Sequence, residues 1–401
     1  MKYLSTLLFL ALSVSSFASQ NRKVLIIGID GTRSDAFQLA NTPNIDGLLG
    51  NATYTYDSWH TGITWSGPSW TTILTGVNWN KHGVTDNTFN GNHFNQYPVL
   101  PTLAKQIKPY LNCSIVAEWD PLIDDITNDA WDYTVKTFDG SNFPTADSAV
   151  IEMQKPDLDL LFAYFDKVDL TGHTSTFSPS NSNYISAIQD VDSAVGKILT
   201  ALHNRPTYAN EDWLILLVTD HGGTGYMHGG NSNEERHIWW IASGSQVAHQ
   251  QISQADPGTY NCHTNNVFDS TCVNAALLKQ SPVQTDITVT ALHWLIYDSG
   301  INPETKPEWN LDGKSWLTNS SGINDTEAQD LISIYPNPSN GSIVISGLSA
   351  TKQPIELFSA EGQNIFSAIP QHNELKVETT SYPKGIYLLK YGSIVKKIVL
   401  N

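Results

Sequence analysis

The sequence is poor in cysteine, in basic residues and in long apolar runs. Its 401 residues include three cysteines, Cys113, Cys262 and Cys272, too few for a disulfide scaffold or a cysteine-based zinc site. On spacing alone, a bridge between Cys262 and Cys272 and a set of three free thiols are equally acceptable. Twenty-two Lys and Arg stand against 39 Asp and Glu, which gives a net charge of −17. This deficit argues against a protein that binds nucleic acid through a basic surface.

The first residues carry the signals of export. An apolar run from Leu4 to Val14 follows Lys2 and precedes the small residues of positions 15–19. This order predicts a secretory signal peptide over residues 1–19, cleaved near Ala18. No later stretch reaches about 18 apolar residues, so the sequence predicts no transmembrane segment. We expect the mature protein to be secreted or held at the cell surface.

Composition and periodicity predict an α/β fold. Hydrophobic residues make up 40% of the chain and charged residues 15%, which is typical of a folded protein. Apolar runs ending in a carboxylate predict buried parallel strands at Lys23–Asp30, Leu158–Asp166 and Trp213–Asp220, and more weakly at Cys113–Glu118. Helical spacing over Tyr184–Leu202 predicts an intervening helix. Ligands of such sheets bind beyond the carboxyl ends of the strands.

The composition changes near Thr318. A short polar segment there predicts a linker over residues 319–330. From residue 331 to 401, short alternating strands such as Ser342–Ser346 and Gly385–Leu389 predict a small β-sandwich. These last residues hold six lysines and four glutamates, so the acidic excess lies entirely in residues 1–330. We expect two folded domains, over residues 20–318 and 331–401.

Candidate catalytic residues cluster after the predicted strands. The ends of the three stronger strands together supply oxygen and nitrogen ligands without sulfur, a set that suits zinc and related divalent ions. There are enough of them for two ions. A hydroxyl before a Gly-Pro turn and an apparent helix start adds a possible nucleophile. The residues are Asp30, Ser66, Asp169, His173, Asp220, His221 and His228.

These motifs, in this order, resemble the alkaline phosphatase superfamily over about residues 23–315, and particularly its type I phosphodiesterase and nucleotide pyrophosphatase branch. The resemblance implies an alkaline phosphatase-like sheet sandwiched by helices and two Zn²⁺ ions. One ion is held by Asp30, Asp220 and His221 and the other by Asp169, His173 and His228. It also implies a nucleophile at Ser66, where this branch usually has threonine and where the oxygen binds the first ion. Asn87 then donates a hydrogen bond to a phosphoryl oxygen.

The implied reaction is hydrolysis of a phosphate ester through a phosphoseryl enzyme. A phosphodiesterase or nucleotide pyrophosphatase is favoured over a phosphomonoesterase, because no motif supplies the extra basic residue of monoesterases; Arg33 and Arg236 are candidates without support. A sulfatase is disfavoured because its modification signal has arginine where Trp70 stands. A non-catalytic binding protein is disfavoured because every ligand position is occupied.

Several assignments remain open at this stage. His237 competes with His228 as the last metal ligand, while His60 and His82 are interpreted as structural. Trp65 and Trp70 flank Ser66 and either line a substrate ring or, as tryptophan is usually buried, pack in the core. Residues 245–283 are interpreted as an insertion that sets specificity.

The tail has a resemblance of its own. Tyr335-Pro-Asn-Pro338, Pro383-Lys-Gly-Ile-Tyr387 and the final Lys396-Lys-Ile-Val-Leu400 resemble the type A sorting domain of the type IX secretion system. This implies a Bacteroidota source, recognition by that machinery through residues 331–401, export across the periplasm and outer membrane, and removal of the tail.

Overall fold

The computed structural model describes residues 21–126, 129–260, 272–318, 333–346, 348, 354–359, 362–370, 372, 374–391 and 394–400. Its contacts divide the chain into two units, residues 1–318 and 319–401. The predicted signal peptide, the predicted linker and Cys262 lie outside the described residues, so they and the predicted domain limits stay predictions. Cys113 is a free, buried thiol. Within the described ranges no helix combines the length and apolarity that a bilayer crossing requires.

An eight-stranded mixed sheet forms the centre of the first unit. Its strands are β1 (Asn21–Ile29), β2 (Ala52–Trp59), β3 (Asn112–Ala117), β4 (Tyr133–Lys136), β5 (Leu158–Phe165), β6 (Glu211–Val218), β7 (His237–Ser243) and β8 (Gln250–Ile252). The order across the sheet is β4-β3-β5-β1-β6-β7-β2-β8. The first five of these run parallel, and β7 is antiparallel to both of its neighbours.

Helices cover both faces of this sheet. They are α1 (Ser34–Leu39), α2 (Pro43–Asp46), α3 (Ser66–Thr75), α4 (Trp79–His82), α5 (Leu100–Ile107), α6 (Asn142–Met153), α7 (Lys167–Ser175), α8 (Ser182–His203), α9 (Asn233–Arg236), α10 (Ala275–Leu278) and α11 (Thr285–Leu295).

Successive side chains of a strand point to opposite faces of the sheet, so β1 contributes side chains to two cores. Val24 and Ile26 of β1 join a core with α3, α5 and α11, whereas Leu25 and Ile27 join a second core with α1, α6 and α8. The predicted α/β sheet between helices is confirmed. The four predicted parallel strands and the long helix agree with β1, β3, β5, β6 and α8 to within a few residues.

The second unit consists of two antiparallel sheets. Its strands are β9 (Ser333–Tyr335), β10 (Ser342–Ser346), β11 (Ile355–Ser359), β12 (Asn364–Ala368), β13 (Glu374–Glu378), β14 (Gly385–Tyr391) and β15 (Ile394–Leu400). The sheet orders are β13-β10-β9 and β12-β11-β14-β15. Inward side chains of both sheets share one core, including Ile343, Ile345, Leu357, Leu389 and Ile398. The predicted small β-sandwich is confirmed.

Candidate active site

Three aspartates lie where adjacent parallel strands end at one edge of the sheet. Asp30 follows β1, Asp220 lies two residues beyond β6, and Asp169 occupies the first turn of α7, which begins just after β5. Because β5, β1 and β6 are neighbours, their carboxyl ends bring these residues together. Gly31 has φ +63°, a conformation that favours glycine, and its amide donates to Asp220 Oδ1 at 3.0 Å.

Asp30, Asp220 and His221, which the resemblance groups as the first ligand set, have ligand atoms within 4.8 Å of one another. His221 Nε2 lies 3.2 Å from Asp220 Oδ2 and 3.6 Å from Asp30 Oδ1. All three side chains are at most 1% exposed. His221 Nδ1 lies 2.8 Å from the carbonyl of Gly222; a proton there would donate to that carbonyl and leave Nε2 with a free lone pair.

Asp169, His173 and His228, which the resemblance groups as the second ligand set, also lie close together. Asp169 and His173 are one turn apart on α7 and meet at 3.2 Å between Oδ2 and Nε2. His228 Nε2 lies 3.1 Å from His173 Nε2 and 3.7 Å from Asp169 Oδ1. Backbone carbonyls orient both rings, that of Tyr226 at His173 Nδ1 and that of Thr64 at His228 Nδ1. The two sets adjoin, since the ligand atoms of Asp169, His221 and His228 lie within 4.8 Å of one another.

The pKa values of the two histidines in the second set differ. A hydrogen bond to Asp169 raises the pKa of His173 to about 9, so this imidazole is protonated at neutral pH while no ion is bound. Burial lowers the pKa of His228 to about 3, which keeps that imidazole neutral. A divalent ion bound here would displace the His173 proton.

Buried oxygens without partners support a cation site. Asp30 Oδ1, Asp169 Oδ1 and Asp220 Oδ2 are buried and lack hydrogen-bond partners. Burial and the neighbouring carboxylates raise the pKa of Asp30 and of Asp220. Buried carboxylates are normally paired or bound to metal because desolvation of the charge is costly. The residues present therefore fit one or more divalent ions.

The structure separates the two histidines that competed for the last position. His228 lies in the second ligand set, whereas His237 begins β7 and pairs with Asp57 at 2.9 Å, stacked on Trp59. His237 is thus committed elsewhere in the fold. The geometry favours His228.

Ser66 lies beside the first ligand set. It is the first residue of α3 and is 8% exposed. Its Oγ is 3.3 Å from His221 Nε2. The partial positive charge of a helix N-terminus favours negative charge at this position. Ser66 is therefore placed where a nucleophile would meet both the ligand set and an anionic substrate.

Asn87 contacts the residue after Ser66. The amide of Gly67 donates to Asn87 Oδ1 at 2.8 Å. The Gly67 amide is thereby bonded to Asn87 and does not point to a substrate. This bond fixes the orientation of the carboxamide and leaves the Asn87 Nδ2 donors for another acceptor.

The two flanking tryptophans have different environments. Trp70 is fully buried, and its Nε1 donates to Asp30 Oδ2 at 2.7 Å. Trp65 is 41% exposed next to Ser66. His60 and His82 are buried and hydrogen-bonded to Ser69 and Thr72 of α3.

Two buried carboxyls were not chosen from the sequence. Asp166 lies with Asp30 and Asp169 in a third group whose oxygens are within 4.8 Å of one another, and burial raises its pKa to about 9. Glu118 Oε2 accepts from the Asp166 amide at 2.9 Å. Each of these residues ends a predicted strand, and that position is a sequence signal for the site. Neither has a histidine within the next few residues of the sequence, so neither stood out as a metal ligand.

Neither candidate arginine is free to bind substrate. Arg33 donates to both oxygens of Asp35 and to two backbone carbonyls. Arg236 is buried, pairs with both oxygens of Asp256, and donates to the carbonyls of His60 and Gly258.

Sequence comparison assigns both parts of the chain. Residues 24–138 and 115–234, together more than half of the chain, match the profile of the type I phosphodiesterase / nucleotide pyrophosphatase family. Residues 333–401 match the secretion system C-terminal sorting domain. A relative from Schizosaccharomyces pombe, named an uncharacterized pyrophosphatase/phosphodiesterase, is 28% identical over 222 residues, which are 50% of this chain and 44% of the relative. The chain thus matches less than half of that relative's length.

Solved structures share the fold. Murine ectonucleotide pyrophosphatase/phosphodiesterase 5, solved as an inactive variant with AMP, has a TM-score of 0.52 and 14% identity, covering 68% of this chain and 95% of the murine one. A putative sulfatase from Bacteroides thetaiotaomicron has a TM-score of 0.55 and 14% identity, with 90% and 86% coverage. Phosphonate monoester hydrolase of Agrobacterium radiobacter has a TM-score of 0.52 and 12% identity, with 94% and 88% coverage.

Glu118 should make the stability of the metal-free chain depend on pH. Burial raises its pKa to about 7 from 4.5, so between these values the unfolded chain releases a proton that the folded chain keeps. Stability from this group therefore falls as the pH rises from 4.5 to 7. In chelator, Glu118→Gln should reduce the fall in unfolding free energy between pH 5 and pH 8 by roughly 1–3 kcal/mol, measured with urea. Glu234→Gln, at an exposed position, is the control. If Glu118→Gln leaves the fall in unfolding free energy unchanged, the raised pKa of Glu118 is contradicted.

Proposed function

This chain belongs to the type I phosphodiesterase / nucleotide pyrophosphatase family, and on that premise we propose that it is a two-metal phosphoric ester hydrolase with Ser66 as its nucleophile. The observation that carries the proposal is the position of Ser66 Oγ, 3.3 Å from His221 Nε2 at the start of α3. The nucleophile, the helix N-terminus and the carboxylate oxygens that lack partners then lie around a single position for the substrate phosphoryl group.

The metal ligands in this proposal are the two sets described above. Asp30, Asp220 and His221 hold one ion together with Ser66, and Asp169, His173 and His228 hold the other. When bound, two divalent cations supply positive charge that favours ionised serine and the negative phosphoryl group, and zinc suits this mixture of carboxylate and imidazole. The unpartnered oxygens support this assignment.

Ser66 and Asn87 have separate roles in the two covalent steps. Ser66 Oγ gives its proton to solvent water and attacks phosphorus, while the bond to the leaving alcohol breaks. The electron pair of that bond goes to the alcohol oxygen, which takes a proton from water. Water cleaves the phosphoseryl bond and a proton returns to Oγ. Asn87 Nδ2, oriented by the Gly67 amide at its Oδ1, donates to a phosphoryl oxygen as charge accumulates there.

A diester is the favoured substrate. A phosphate monoester carries an additional negative charge that calls for another basic residue near the phosphoryl group. Arg33 and Arg236, the candidates from the sequence, are held by Asp35 and Asp256. Murine ectonucleotide pyrophosphatase/phosphodiesterase 5 was solved with AMP, which supports a nucleotide as one group of the ester.

The tail supports export. A C-terminal sorting domain over residues 333–401 and the predicted signal peptide together support passage through the periplasm and across the outer membrane by the type IX machinery. The hydrolase would then act at the cell surface or in the medium.

Removal of the Ser66 hydroxyl tests the nucleophile. Ser66→Ala should lower kcat for bis-p-nitrophenyl phosphate by roughly 10³-fold or more, because no other hydroxyl replaces Oγ. The matched control, Ser66→Thr, keeps a hydroxyl and should retain most of the turnover. Metal content, measured in parallel, should stay near that of the wild type. Full turnover by Ser66→Ala would contradict the assignment.

Three chromogenic esters test the substrate class. With the arginines engaged elsewhere, kcat/KM should be highest for bis-p-nitrophenyl phosphate, lower for p-nitrophenyl phosphate and lowest for p-nitrophenyl sulfate. The three share a leaving group, so the comparison isolates the charge and identity of the central atom. A clearly faster monoester would replace the diester assignment with a phosphomonoesterase, and a faster sulfate ester would indicate a sulfatase.

A further inference from the structure

The two oxygens of the Asp30 carboxylate have opposite environments. Oδ2 accepts two hydrogen bonds, from Trp70 Nε1 at 2.7 Å and from Tyr164 Oη at 2.6 Å. Oδ1 has no hydrogen-bond partner and lies 3.6 Å from His221 Nε2. A carboxylate held by two donors on one oxygen cannot rotate without breaking both bonds. Its other oxygen is therefore directed at the first ligand set.

The fold builds a dedicated space for the Trp70 indole. Gly28 of β1 lies under the ring, and a Cβ at this position would stand 2.5 Å from Trp70 Cη2. Tyr164 of β5 packs edge-on to the indole at 5.1 Å between ring centroids, and Phe162 packs at 5.9 Å. Trp70 is therefore fixed by packing on two adjacent strands. This packing fixes the direction of the indole N–H bond.

Trp70 also links the nucleophile to the ligand set. Ser66 and Trp70 are four residues apart on α3, so they lie on the same side of the helix, one turn apart. The bond from Trp70 to Asp30 joins α3 to the end of β1. The helix that carries the nucleophile is thus held in register with the carboxylate that would bind the ion.

We infer that Trp70 and Tyr164 form a two-donor clamp that positions Asp30 for metal binding and sets α3 against it. They are positioning residues, since they act through Asp30. The inference rests on the proposed function for the identity of the Asp30 ligand. Both donors are neutral, so they orient the carboxylate without cancelling the charge that attracts the cation. An arginine at position 70, as in the sulfatase modification signal, would pair with that charge instead.

The test removes each donor while keeping the ring. Replacing Trp70 with benzothienylalanine substitutes sulfur for the N–H in an indole-shaped side chain, and Tyr164→Phe removes only the hydroxyl. Zn²⁺ affinity is measured by competition with a chelator of known affinity, beside kcat and KM. Each change should weaken Zn²⁺ binding about 10-fold, and the pair up to about 100-fold, with a parallel fall in kcat and little change in KM.

Matched controls separate positioning from packing. 5-Fluorotryptophan at position 70 keeps the N–H and should restore wild-type affinity. Benzothienylalanine at Trp294, whose buried N–H donates to the carbonyl of Lys23 at 3.1 Å, and Tyr54→Phe remove similar donors elsewhere and should leave affinity unchanged. The unfolding free energy of the metal-free chain is measured for every variant. Lower stability with unchanged Zn²⁺ affinity would overturn the clamp in favour of a structural role.

The outcomes distinguish the clamp from the proposed function. If the wild type turns over diesters and the double variant matches it in affinity and kcat, the clamp is wrong and the function stands. If the wild type binds Zn²⁺ but hydrolyses no ester, a loss of affinity in the variants supports the clamp while the function fails. A folded wild type that binds no Zn²⁺ overturns both.

Discussion

Three carboxylates are buried side by side at one edge of the central sheet. Asp30, Asp169 and Asp220 are at most 7% exposed and each has an oxygen without a hydrogen-bond partner. In a medium of low dielectric, such charges repel one another and lose their hydration. The raised pKa values of Asp30 and Asp220 express this cost. Divalent cations would remove it.

The surrounding architecture preserves this cluster. Parallel strands β5, β1 and β6 bring the carboxylates together, and backbone carbonyls, Trp70 and Tyr164 orient the ligands around them. Part of the acidic excess of the sequence lies in this cluster. The negative excess belongs to residues 1–330, and part of it forms an internal site whose field would be set by bound ions.

Much of this arrangement could be predicted from the sequence, because buried parallel strands are continuous apolar runs and their ends are marked by polar residues. The runs ending at Asp30, Asp166 and Asp220 located β1, β5 and β6, and hence the edge where the site lies. The prediction omitted β2 and β7, although residues 238–242 of β7 form a continuous buried apolar run and threonine alternates with tyrosine in β2. Side-chain partnerships could not be predicted. Whether Trp70 packs in the core or faces substrate, and whether His228 or His237 joins the ligands, depends on contacts between residues distant in sequence.

The number of metal ions bound per chain shows whether these buried carboxylates and histidines form a two-ion site. The purified chain, equilibrated with Zn²⁺, freed of excess and analysed by elemental mass spectrometry, should hold two ions per chain, and a variant with both His173 and His228 changed to Ala should hold one. The account predicts this stepwise loss because the two ligand sets adjoin without sharing those histidines. A folded wild-type chain that holds no divalent ion, or a variant with undiminished content, would contradict it.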